Sequence, residues 1–377
     1  NMYFLEGVGS TIKNSNISSF HGGIKMFRWI LLFITMSVLF SPVISASSLS
    51  WPEVIRKQEE YVKSLQHDPG FITNTPLGVI INPYFNNVAL LGMAANQDNQ
   101  AIIMNWAKWY IAHLNKPDKL GVTGSIYDYR FRWPDEVVST DDYDSSDSYA
   151  ATFITLMRHY YDTNKDLEFM QAIENDLRLI VKAIYGTMDS RDKLTYAKQN
   201  YRIKYLMDNA EVLYGLENWA YILEQVYQKP EEAEKIRNDA SICKESLQKM
   251  WNGQSFAYAK DEVGKLFTSN TATFYPDMMA QLIAIIYDLT TPEQDTIIWH
   301  DFNQRYPKWT RLNHGNSFPD TLMVYAAAKV GDWEKVITYI ESIEMTYGES
   351  NYNWPWHAGE SGMYLLTLHE LLENEAK

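Results

Sequence analysis

From residue 53 onward the apolar positions of this chain follow two alternating patterns. In the first, apolar residues stand three and four apart with charged residues between them, at 53–65, 97–114, 166–184, 231–251, 293–302 and 332–345. One apolar stripe per helix places these segments on an outer surface. In the second pattern, at 88–95, 150–157, 210–221, 278–286, 321–328 and 363–371, nearly every position is apolar. A helix apolar all round is buried on all sides. Six of each kind in strict alternation predict six helical hairpins, hence an all-α (α/α)6 barrel in which a closed ring of inner helices is wrapped by outer ones. Between the fourth outer and inner segments, Ser255-Phe-Ala-Tyr-Ala259 and Lys265-Leu-Phe267 flank a polar turn and predict a small β-hairpin insertion. Residues 47–377 form one unbroken pattern, long enough to bury a large core as a single catalytic domain.

The stretch before this pattern has a different logic. Lys25 and Arg28 precede the apolar run 29–40, then Pro42 and the small-residue exit Ile44-Ser45-Ala46. That order predicts a signal peptide over 26–46, cleaved after Ala46, and therefore a secreted or periplasmic protein. A membrane anchor would need an uninterrupted run nearer 20 residues, about what a bilayer core requires. Residues 1–25, rich in Asn, Ser and Gly, read as a non-native or mis-set N-terminal extension.

Charge narrows the possible partners. A formal net charge of −14 argues against nucleic acid and anionic membrane, both of which need a basic face, and favours a neutral or cationic substrate. Cys243 is the single cysteine, so neither a disulfide framework nor a cysteine metal site is expected. No phosphate loop or zinc-type histidine spacing occurs, so no cofactor and no metal is expected, and His314 and His357 read as hydrogen-bonding residues. A monomer is expected.

The chemistry lies at the starts of the inner segments, each preceded by polar and aromatic residues. The first is Asn82-Pro-Tyr84-Phe-Asn-Asn87. The second is the acidic stretch 139–153, with Asp141, Asp142, Asp144 and Asp147 within seven positions. Asp208 and Glu211 open the third, Asp277 the fourth and Asp320 the fifth, and Asn353-Trp354-Pro-Trp356-His357-Ala-Gly-Glu360 opens the sixth. Asp128 and Tyr129 lie in the long connection before the second. Any one of these acids has a sufficient explanation as a helix N-cap. In a ring whose inner helices point the same way, however, all six starts converge on one end of the barrel. Acids and flat aromatics in one cleft suit carbohydrate: carboxylates accept from sugar hydroxyls, aromatic faces pack on pyranose C–H groups, and two carboxyls flanking a glycosidic bond can hydrolyse it.

The Asp144-Ser-Ser-Asp147-Ser-Tyr149-Ala150 opening resembles a signature of the inverting family 8 glycoside hydrolases, members of the six-hairpin glycosidases. Tyr275-Pro276-Asp277-Met278 is similar to the segment that carries that family's base. The family's Ser-Glu-Gly acid motif has no counterpart at residues 82–87. The resemblance implies an inverting glycoside hydrolase acting on an oligo- or polysaccharide. The catalytic pair is then expected among Asp144, Asp147, Asp277 and Glu360, with Tyr84, Asp128, Tyr129, Asp208, Glu211, Asp320, Trp354, Trp356 and His357 binding sugar. A non-catalytic glycan-binding toroid, a lyase or an epimerase on the same fold are the alternatives. Binding without turnover would indicate the first, and an ultraviolet-absorbing unsaturated product the second.

Overall fold

The computed structural model describes residues 50–133 and 136–377; the N-terminal extension and the expected signal peptide lie outside the described residues. Helix α1 (Trp51–Ser64) and α2 (Pro83–Met93) form the first hairpin, and α3 (Gln100–Ala112) and α4 (Ser146–Asn164) the second. After the short α5 (Leu167–Ala172), α6 (Glu174–Thr187) and α7 (Leu206–Tyr221) form the third, and α8 (Pro230–Gln248) and α9 (Met279–Ile286) the fourth. Helices α10 (Pro292–Arg305) and α11 (Leu322–Lys329) make the fifth, and α12 (Trp333–Thr346) and α13 (Ala358–Glu375) the sixth.

The inner members close a ring: α2 packs on α4, α4 on α7, α7 on α9, α9 on α11, α11 on α13, and α13 back on α2. This is the (α/α)6 barrel that the alternating pattern predicts. Its physical basis is visible residue by residue. Every residue of α9 is buried, as are the first twelve of α4. The outer α1, by contrast, buries only the stripe Val54, Ile55, Gln58, Glu59, Tyr61 and Val62.

The seam that closes the ring depends on two glycines. A β-carbon on Gly362 of α13 would sit 2.1 Å from the Val88 carbonyl oxygen of α2, and one on Gly92 of α2 would sit 2.5 Å from the Gly362 carbonyl oxygen. Both obstacles are backbone, so neither can rotate away. Gly362→Ala is therefore expected to prise α2 and α13 apart at a cost of about 3 kcal/mol. Calorimetry should record a melting temperature lower by roughly 5–10 °C.

Two small antiparallel sheets lie on the connections. The first joins β1 (Ile80–Ile81), β2 (Tyr129–Arg132) and β3 (Glu136–Ser139) in that order. It lies outside the sequence expectation, because β2 has only four residues and its partner β1 stands some fifty positions upstream. The second contains the expected hairpin, β5 (Ala259–Asp261) and β6 (Leu266–Phe267), with β4 (Ile203–Tyr205) added to its edge. Strand β4 runs directly into α7 and is pinned from below. Buried Lys204 reaches Asp189 Oδ2 at 2.8 Å and Asp192 Oδ1 at 2.8 Å, and Lys260 reaches the same Asp192 at 2.8 Å. Removing one partner of such a buried set leaves an uncompensated charge, so the start of α7 is held firmly. No helix among the described residues is long and apolar enough to cross a membrane.

Candidate active site

Contacts between segments far apart in sequence confirm that the inner-helix starts meet. Asn82 caps α2 by accepting from Phe85 N–H, and its amide donates to Asp128 Oδ1 at 3.1 Å and to the Tyr149 hydroxyl at 3.0 Å. Tyr149 in turn donates to Asp128 at 3.0 Å, which binds the first and second starts together. Tyr84 donates to Glu211 Oε1 at 2.6 Å, joining the first to the third. At the sixth start, the His357 ring packs 4.7 Å from Phe85 and 5.8 Å from Phe318. Phe318 also meets Trp354 edge-on at 5.4 Å.

One wall of the site is a carboxyl cluster at the starts of α4 and α7. Ser145 Oγ lies 2.5 Å from Asp147 Oδ1 and 3.1 Å from Asp208 Oδ2. A hydroxyl has one proton to give, and Asp147 Oδ1 also receives Ser148 N–H at 3.0 Å. The arrangement is satisfied when Asp208 carries a proton and donates it to Ser145, and Ser145 donates onward to Asp147, whose carboxyl is itself raised by burial. Burial, then the charges of Asp147, Glu211 and Asp144, hold the Asp208 carboxyl well above the usual range, in accord with that assignment. Glu211, one turn further along α7, is pushed up to about 7 by burial, partly offset by bonds from Ser148 and Tyr84. Burial raises Tyr84 itself, so its hydroxyl stays neutral and remains a donor.

The opposite wall is Glu360, in the first turn of α13. Its Oε2 accepts from Thr321 N–H at 2.7 Å and from Thr321 Oγ1 at 2.8 Å, and its Oε1 from Asp320 N–H at 3.2 Å. Burial, and next the Asp320 charge, push Glu360 up to about 7. His357 caps α13 by accepting Gly359 N–H on Nδ1, which leaves its proton on Nε2, 3.9 Å from Glu360 Oε1. Burial lowers His357 to about 4, so it is neutral there. Helices α7 and α13 are third and sixth in the ring, diametrically opposed. With neighbouring axes about 8–10 Å apart, opposite axes of a six-membered ring are separated by roughly 16–20 Å.

Other expected site residues have different surroundings. Trp356 is fully buried, donates to Ser361 Oγ at 2.8 Å and packs on Tyr347, Tyr352 and Tyr364, so it has no face for a sugar. Tyr129 is 8% exposed between Trp109 and His113, on the core side of β2. Asp147 is 0% exposed and serves the cluster from behind. Asp277 accepts Asn270 N–H at 2.5 Å and fixes the loop before α9. Trp356, Tyr129 and Asp147 are thus sealed away from a bound sugar, with one cause: alternation along the chain marks which segment reaches the mouth, but not which way a side chain turns once there. Asp144 is exposed at the rim, Trp354 is 57% exposed, and Asp142 pairs with Lys198 at 3.0 Å. Thr321, Tyr149, Ser145 and Phe318 were not anticipated; the only sequence signal for Thr321 was its place at an inner-helix start.

The raised carboxyls make stability depend on pH. Asp128, Glu211 and Glu360 are each pushed up to about 7, in every case chiefly by burial. A group whose folded pKa exceeds its unfolded one contributes stability below the unfolded value and loses it as pH rises through the folded value. Asp189, held low by Arg191 and Lys204, has the opposite sign but matters only at acid pH. Melting temperature is therefore expected to fall between about pH 5 and about pH 8, with a shallower fall in Glu211→Gln.

With this geometry in view, the chain has the fold of the six-hairpin glycosidases. Among solved structures it is similar to a wild-type glycosidase, with TM-score 0.58 and 11% identity over 85% of this chain and 96% of that one. It is likewise similar to a GH63 mannosylglycerate hydrolase from Thermus thermophilus in complex with glucose, with TM-score 0.58 and 10% identity over 85% of this chain and 99% of that one. The same hydrolase in complex with Tris and D-glycerate matches with TM-score 0.55 and 10% identity, over 85% of this chain and 100% of that one. No family model matches the chain, and no curated protein does. Among the described residues no cluster of three or more His, Cys, Asp or Glu has the geometry to hold a metal.

Proposed function

We propose that this chain is a glycoside hydrolase that cleaves an oligosaccharide or small glycoside with inversion, Glu211 acting as general acid and Glu360 as general base. The observation that supports the reading is that two buried carboxyls stand near the starts of the third and sixth inner helices, opposite one another in the ring, Glu211 bonded by Tyr84 and Glu360 by Thr321 and Asp320, and that burial pushes each up to about 7. An inverting enzyme needs its two carboxyls roughly 6.5–9.5 Å apart, because water must fit between the base and the sugar. Glu211 supplies the proton in preference to Asp208, whose own is committed to the Ser145 bridge. Glu360, gripped by three donors, is oriented to take a proton from water once ionised. Relative to the expected catalytic set, Glu360 is retained, Glu211 moves from sugar binding to catalysis, Asp147 becomes a supporting charge and Asp277 a loop anchor. Tyr84, Asp208, Trp354 and His357 line the sugar, and Asp128 positions Tyr149.

The substrate is neutral. Two cations of the connections before α4 and α7 are already paired, Lys198 with Asp142 at 3.0 Å and Arg202 with Glu262 at 3.3 Å, which supports a neutral rather than an anionic substrate. Export through residues 26–46 is part of the same proposal and is checked by N-terminal sequencing of protein recovered outside the cytoplasm. A panel of glycosides followed by NMR of the first-formed anomer tests the reaction. Turnover with an inverted product supports the reading; binding without turnover, or a retained anomer, overturns it.

A further inference from the structure

A general base works best when its orientation is fixed before substrate arrives. Glu360 is fixed from outside its own helix, by the backbone of residues 320 and 321. Asp320 N–H and Thr321 N–H both aim at its carboxyl, and Thr321 Oγ1 lies 2.8 Å from both Oε2 and the Glu360 carbonyl, its one proton shared between them. The two amides point that way because Asp320 has φ +54°, in the left-handed region that costs a side-chain-bearing residue about 1 kcal/mol. Something must hold it there. The Asp320 carboxylate is clamped at Oδ2 by His314 Nε2 at 2.7 Å and Asn316 Nδ2 at 2.7 Å, and the preceding Pro319 carbonyl accepts the Tyr339 hydroxyl at 2.6 Å.

The His314 side chain is fully buried against Phe274, ring centroids 5.0 Å apart. Its Nδ1 has no hydrogen-bond partner. A buried lone pair left unpaired costs less than a buried N–H left unpaired beside a carboxylate acceptor, so the proton sits on Nε2 and is given to Asp320. The titratable groups that face Glu360 are then Asp320 from the segment before α11, His357 from the start of α13, Tyr339 from α12 and Tyr347 just past its end.

We propose that His314 is a positioning residue for Glu360, acting through the Asp320 carboxylate on the two backbone amides that grip the base. The proposal rests on the reading of Glu360 as the base, but its effect on Glu360 can be measured without any substrate. It has two parts. Mechanically, losing the His314 donor releases the left-handed turn at Asp320. Electrostatically, it leaves the Asp320 charge less compensated and nearer in effect to Glu360, which favours the protonated form of Glu360.

The test is a carbon-13 NMR titration of glutamate carboxyl groups in the full chain, with the Glu360 signal assigned by its loss in Glu360→Gln. In His314→Phe the Glu360 midpoint should move up by about half a unit or more. In Asp320→Asn, which removes the neighbouring charge, it should move down. His314→Gln, whose amide can still donate to Asp320, should lie near the wild type, and it carries the test together with Asp320→Asn if His314→Phe does not fold. On a cleaved glycoside, His314→Phe should lower kcat about tenfold or more with KM little changed. Identical Glu360 titrations in the wild type, His314→Phe and Asp320→Asn, all folded, would overturn the proposal. Shifted titrations together with full activity of Glu360→Gln would leave the positioning intact and remove the base assignment instead.

Discussion

Glu360→Gln is expected to lower kcat/KM on the cleaved glycoside by about 10²–10⁴-fold, the usual worth of a positioned general base, while the barrel stays folded. The amide matches the carboxyl in shape but not in bonding. Three donors converge on Glu360, from Asp320 N–H, Thr321 N–H and Thr321 Oγ1. An amide offers one oxygen, so whichever way it turns an NH2 group faces a donor. Glu360→Ala avoids that conflict, and the two variants together separate lost chemistry from a disturbed cradle. The pH profile adds a signature. In the wild type, activity should rise as Glu360 ionises through about 7 and fall as Glu211 loses its proton in the same region, giving a narrow bell near neutrality. The acidic limb should vanish in Glu360→Gln. Unchanged activity in that variant, with melting temperature preserved, would exclude Glu360 from the reaction.

The architecture was legible because a ring of helices buried on all sides must be written in apolar residues all round, and six such segments alternate here with amphipathic ones. Helix α9, with Met279, Leu282, Ile283 and Ile286 all buried, is interior. The convergence of acids at one end followed from the same topology. What the sequence could not convey was pairing. Tyr84 and Glu211 are 127 positions apart, and Asp320 and Glu360 are 40 apart. No local pattern marks such partners. The crowded aspartates of the second inner start were the loudest signal in the chain, yet they divide by depth. Asp142 is tied to Lys198 at the surface, Asp144 stands at the rim, and Asp147 is sealed beneath Ser145. Trp356 misled for a related reason: two tryptophans flank Pro355, and the chain turns one outward and the other into the core. The family resemblance rested on the second and fourth starts, whereas the two carboxyls proposed as acid and base sit at the third and sixth.

Glu211→Gln is expected to separate acid catalysis from every other role of the cluster. The general acid matters in proportion to how poor the leaving group is, since its proton stabilises the departing oxygen. On a natural glycoside with an alkoxide-like leaving group, kcat should fall about 10²–10⁴-fold; on an aryl glycoside with an acidic phenol it should fall far less, because that phenolate departs without help. The basic limb of the pH profile should disappear with Glu211, the group that must be protonated to act. Asp208→Asn serves as the control. Burial and neighbouring charges raise Asp208, so it is expected to carry a proton toward Ser145, and an asparagine amide can donate in its stead; this variant should keep its basic limb, any loss from weaker sugar binding appearing in KM and equally on both substrates. A merely structural role for Glu211 predicts equal losses on both substrates. If instead Asp208→Asn shows the leaving-group dependence and Glu211→Gln does not, the transferred proton belongs to Asp208, and Glu211 with Tyr84 becomes the pair that holds the sugar.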